Sequence, residues 1–186
     1  MFGLAGKWKR HSQDRLQRLA KSIEAIEERD RQLVVESSQV DHLREEGAAS
    51  LYRLCREFVD DLNRRLAEPA LMLDPPEWTA ESFHESGPNL IQISLRGRLL
   101  QFEYESTDEP YSTEDFRHRY VLRGDVRSFN QNFLEHDTVD EQQIFFCPHN
   151  EVAAGADASW HFFDVRTYRT GHVSLDYLAS ELERLL

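Results

Sequence analysis

Three stretches of this chain bring together side chains able to move a proton, hold a metal or grip an anion. Glu103 and Glu105 fall on one face of a predicted strand, with Asp108 and Glu109 just beyond them, an arrangement a general acid and base could use. Arg117 and Arg119 alternate in the same way on the expected neighbouring strand. Cross-strand Glu–Arg pairing on a solvated face would account for all of these residues without any chemistry. Cys147-Pro148-His149, with His136 and His161 elsewhere, offers the thiolate and imidazole groups that zinc takes. Its spacing matches none of the common ligand pairs, and Cys147 closes an apolar run, so no metal is expected.

The third stretch runs through residues 160–169. Alternation there sets His161 and Phe163 on one face, and Phe162, Asp164 and Arg166 on the other. His118, His161 and Arg166 are therefore the residues to seek in a ligand pocket, and an aromatic-rich central strand is the competing reading. The chain contains no phosphate-binding P-loop, no Gly-x-Gly-x-x-Gly, no His-Glu-x-x-His and no Gly-x-Ser-x-Gly. No catalytic residue and no cofactor are expected.

A different kind of signal opens the chain. Residues 1–21 hold Lys7, Lys9, Arg10, Arg15, Arg18 and Lys21 against Asp14 alone, a local net charge of +5, and these three lysines are the only ones in the sequence. A basic segment containing Trp8 could touch phosphates or an anionic membrane surface. The apolar spacing that follows suits a protein partner better, so membrane contact through residues 1–21 ranks second.

The elements that must position these groups fall into two parts. Residues 8–68 contain no proline, and Gly47 is their single glycine. Leu16, Leu19, Ile23, Ile26 and Leu33 follow a heptad-like seam that Asp30 interrupts. Ser37-Ser38, followed by Gln-Val-Asp41, fits a capping box and predicts a second helix. Its apolar line is Val40, Leu43, Leu51, Leu54, Phe58, Leu62 and Leu66. Gly47 falls on that line, either to admit a close neighbour or as an interruption costing about 1 kcal/mol.

After a linker at residues 71–76 the period changes to two. Residues 90–95 and 99–105 flank Arg96-Gly97-Arg98 as a hairpin, and further strands are expected at 117–123, 144–147 and 160–168. Ser174 caps a closing helix with Leu175, Leu178, Leu182 and Leu185 on one stripe.

The expected fold class is α+β. It comprises two N-terminal amphipathic helices (a hairpin if they fold back), an antiparallel sheet of about five strands, and a C-terminal helix packed on the sheet. Residues 1–68 form the helical segment and 69–186 the sheet with its helix.

Composition narrows the function classes. The chain has 186 residues, is 40% hydrophobic and carries a net charge of −12. Residues 1–68 balance 13 basic against 13 acidic residues, so the whole excess lies in 69–186, where 9 basic face 21 acidic. That half repels phosphate, which argues against nucleic acid as its partner. Two cysteines, Cys55 in a helical pattern and Cys147 at the end of an apolar run, suit a reducing compartment, and the expected location is cytoplasmic. The resulting expectation is a non-enzymatic binding or assembly module. Its partner is a protein or a second copy, met through the seam at Leu16, Leu19, Ile23, Ile26 and Leu33. The alternative is a small ligand-binding domain or enzyme with a pocket between sheet and C-terminal helix.

Overall fold

A computed structural model describes the backbone of residues 4–111, 120–131, 139–148 and 158–186, without the side chains of 4–17, 29–37 and 108–111. Helix α1 spans Leu4–Arg65 and helix α2 spans Leu175–Glu183. Between them run seven strands: β1 Leu71–Asp74, β2 Asn89–Leu95, β3 Arg98–Tyr111, β4 Tyr120–Asn130, β5 Asp140–Cys147, β6 Ser159–Asp164 and β7 Arg169–His172. They form one sheet in sequence order, and every neighbouring pair is antiparallel. The fold is α+β, with a C-terminal helix on an antiparallel meander. The chain divides into two compact units, Met1–Gln39 and Val40–Leu186.

Two expectations are corrected. The N-terminal region is one helix among the described residues, not two, because α1 passes through Ser37 and Ser38 without a break. A serine in a helix interior costs only a fraction of a kcal/mol relative to alanine, and neither proline nor glycine stands there to end the helix. The sheet has seven strands among the described residues, not about five. β1 was expected to be linker because Pro75-Pro76 follows it directly. It pairs nonetheless, Leu71 opposite Leu95 and Leu73 opposite Ile93. Asn63 near the end of α1 holds this strand through its side-chain amide. It accepts from Ala70 N and Leu71 N at 2.9 and 3.0 Å and donates to Leu71 O at 2.9 Å. β7 is Arg-Thr-Gly-His, which carries no apolar alternation to announce a strand.

The β2–β3 hairpin closes on Arg96 and Gly97, with φ of 49° and 86°, and Leu95 lies opposite Arg98. Both positive values suit a two-residue turn that follows the twist of the strands. Its register places Ile91 opposite Phe102 and Ile93 opposite Leu100, the two apolar faces expected from alternation. Beyond Ser106 the β3–β4 register shifts, and the alternation of β4 breaks there. Val121 and Leu122 both join the main core, whereas Tyr120 belongs to a second cluster.

The core forms where the α1 residues from Ala48 to Val59 and the α2 residues Tyr177, Leu178 and Leu182 meet one face of the sheet. Leu51, Cys55, Leu100, Phe102, Ile144 and Leu178 are fully enclosed. Burying each large apolar side chain contributes about 1.5–3 kcal/mol. Gly47 resolves into a packing position. A methyl group there would stand 2.6 Å from the Phe146 ring and 2.9 Å from Leu122. Its carbonyl accepts the Trp160 indole N–H at 2.8 Å, so one glycine fixes both the spacing and the docking of α1 on β5 and β6.

Candidate functional site

The face of the sheet away from the helices carries the carboxylate set singled out by sequence. Glu105 lies opposite Arg123 and Glu103 opposite Asp125. Arg123 donates to Glu105 at 2.7 and 2.9 Å, and Arg127 reaches both Glu103 and Glu141 at 2.8 Å. The cross-strand pairs are present, made by arginines of β4. Arg117 and Arg119 lie outside the described residues, as do the side chains of Asp108 and Glu109.

Asp125 sits within this lattice without an arginine bond of its own among the described residues. Partial burial, then the nearby Glu141, push its carboxyl above the usual range, while Arg127 pulls it down. A groove of about 450 Å³ opens here, lined by Glu103, Glu105, Arg123, Asp125, Gln143 and Phe145 among others. Phe145 belongs to the second apolar cluster with Tyr120, Cys147 and Phe163, all at most 5% exposed. Both charged partners of each cross-strand pair are substantially exposed, so each pair is worth at most about 1 kcal/mol and serves the sheet surface.

Between the opposite face and α2 lies a second groove, of about 330 Å³, lined by Gln142, Asp164, Arg169, Tyr177, Glu181 and Arg184 with several neighbours. Glu181 is 2% exposed, accepts from Gln142 Nε2 at 2.9 Å and lies 3.0 Å from Arg184. Tyr177 donates to Gln142 Oε1 at 3.3 Å and stacks on Phe162 at 4.7 Å. Burial raises the Glu181 carboxyl above its ordinary value, against the pull of Gln142 and Arg184. Asp164 shifts the other way, held low first by the Thr167 hydroxyl at 2.7 Å and then by the backbone N–H of Arg166. These bonds also build the β6–β7 turn, so Asp164 has a structural task before any chemical one.

Of the residues expected in a pocket, His161 and Arg166 stand at different places on the sheet. His161 lies on the face away from the helices, its ring 4.3 Å from His172 and its Nε2 3.2 Å from Ser159 Oγ. Arg166 stands in the β6–β7 turn and pairs with Asp140, which Arg184 also reaches at 3.2 Å. His118 lies outside the described residues, as do His136 and His149. Cys147 is 5% exposed, and burial pushes its thiol up to about 12. No group of three or more His, Cys, Asp or Glu that could hold a metal stands among the described residues. Glu181 and Gln142 were not singled out by sequence. Their signal was a glutamate one turn from Leu178 and Leu185 on the apolar side of α2, and a glutamine on the inward alternation of β5.

Of the N-terminal seam, Leu19, Ile23 and Ile26 are 56%, 49% and 59% exposed. Leu16 and Leu33 belong to α1, but their side chains lie outside the described residues. No described helix is long and apolar enough to cross a membrane.

No protein-family model, curated protein or solved structure matches this chain.

Proposed function

We propose that this chain is a non-enzymatic assembly module that associates with a second copy through the N-terminal part of α1. The observation that supports this reading is the half-exposed row Leu19, Ile23 and Ile26 on a helix of the unit Met1–Gln39. Their 4-3 spacing is that of a coiled-coil seam, in which each apolar residue enters a hole on the partner helix. Water is a poor neighbour for such a row, at a cost of about 25 cal/mol per Å². Pairing with an identical stripe removes that cost on both chains at once. Sedimentation of the full chain tests it against Ile23→Glu/Ile26→Glu. The native chain is expected to dimerise with concentration and the variant to stay monomeric with an unchanged melting temperature. A native chain that is monomeric throughout the micromolar range overturns the proposal.

A second reading, a small ligand-binding domain or enzyme, draws support from the α2 groove. Two carboxyls there are displaced in opposite directions, as acid and base partners are in many active sites. Gln142, Asp164, Tyr177, Glu181 and Arg184 already have internal bonds, which is why this reading ranks second. Thermal stabilisation by small amine or carboxylate compounds, lost in Tyr177→Phe, would move it ahead.

A further inference from the structure

We infer that the two copies pair with their N-terminal helices antiparallel. The inference rests on the self-association proposed above and concerns the orientation, which charge decides. Residues 1–21 carry six basic side chains against one acidic, a net of +5. Residues 22–39 carry Glu24, Glu27, Glu28, Asp30 and Glu36 against Arg29 and Arg31, a net of −3.

This order gains nothing within a single helix. The N-terminus of a helix bears partial positive charge and favours acidic side chains, whereas α1 has none in its first turn. A lone helix would be better served by the reverse polarity, so the segregation points to something outside the helix. Two parallel copies would lay +5 against +5 along the same stretch. Two antiparallel copies, aligned with position 23 against 26, lay residues 10–24 of each (net +2) along residues 25–39 of the other (net −2). Paired helices approach to about 8–10 Å, close to the screening length of about 8 Å at physiological salt, so the difference is reduced but not abolished in solution.

The seam is self-complementary in that orientation. In heptad terms positions 16, 23 and 30 are a, and positions 19, 26 and 33 are d. Antiparallel coiled coils layer a against d of the partner. An alignment that sets position 23 against 26 of the second copy also sets 16 against 33, so four apolar positions of each chain meet apolar ones. The two remaining layers set position 19 of one copy against 30 of the other, where Asp30 weakens the apolar contact. Positions 15 and 36 then flank the seam together, an arginine beside a glutamate.

Nitroxide labels on the full-length dimer test this, one at His11→Cys and one at Ala25→Cys. The native Cys55 and Cys147 are 0% and 5% exposed, and burial raises both thiols, so reagent goes to the introduced site. An antiparallel pair brings the two labels at position 25 side by side and holds those at position 11 about 40 Å apart along the axis, at about 1.5 Å per residue. Short distances at both positions mean a parallel pair. That result overturns the orientation and leaves self-association standing. Absence of any dipolar coupling at either position, with a monomeric mass, overturns both.

Discussion

Leu51 and Ile23 belong to the same helix and to similar amphipathic patterns, yet one is fully enclosed and the other half exposed. From Ala48 to Val59 the apolar side of α1 meets a sheet face that this chain itself supplies. From Leu19 to Ile26 the same kind of side remains in water. An amphipathic stripe states that a helix has something to cover without naming what covers it. In one stretch the answer is intramolecular, and in the other the proposal assigns it to a second copy.

Truncation at matched positions breaks or sharpens this contrast most directly. Leu51→Ala is expected to cost about 2–5 kcal/mol in chemical denaturation, by lost transfer energy and the cavity left behind. Ile23→Ala should leave that midpoint almost unmoved and weaken only association. Equal effects at the two sites would erase the contrast. Next comes Gly47→Val, which drives side-chain atoms into Phe146 and Leu122. The overpacking should cost about 1–3 kcal/mol or more, with a red shift of tryptophan emission as the Trp160–Gly47 bond loosens.

Glu181 offers a smaller, pH-dependent probe of the compact unit. Its folded carboxyl holds a proton more tightly than the ordinary value of 4.5. The contribution is therefore most favourable below that value and is lost as pH rises through the folded pKa. Glu181→Gln should flatten the fall in melting temperature over that interval, as read by scanning calorimetry across pH. A slope that is unchanged, or steeper, counts against the burial argument. Smallest of all, Arg127→Ala removes two bonds of 2.8 Å from a solvated face and should cost about 1 kcal/mol or less. A larger loss would mean that the face is covered in the working protein.

Much of the fold is legible in the residues, and its failures have physical causes. Ile91, Ile93, Phe102 and Leu100 alternate cleanly, and Arg96-Gly97 supplies the positive φ a tight turn needs. Ser174 caps α2 as expected, accepting from Tyr177 N at 3.2 Å. β4 was harder to read, because its inward positions after Leu122 are Gly124, Val126 and Ser128, small or polar residues that carry little strand signal. β7 has no apolar residue, so its pairing rests on main-chain bonds to β6 and on the turn that Asp164 builds. The capping pattern at Ser37-Ser38 is local chemistry that α1 overrides. At the surfaces, the Glu103 and Glu105 pairing was foreseeable in kind but not in partner. Arg123 and Arg127 replace the expected arginines because the observed register continues β4 to Asn130. The Glu181–Gln142–Tyr177 network was not legible, since it joins groups 35 and 39 residues apart whose meeting depends on where α2 crosses the sheet.

The bond from Trp160 to the Gly47 carbonyl also gives the molecule an optical gauge. Trp160 is 4% exposed, with Tyr104 and Phe146 rings 5.4 and 5.5 Å away. An indole so enclosed emits at short wavelength, and lifting α1 from the sheet would hydrate it before the strands part. With Trp8 and Trp78 replaced by phenylalanine, its colour, followed in real time after dilution from denaturant, would reveal when helix meets sheet without any added dye.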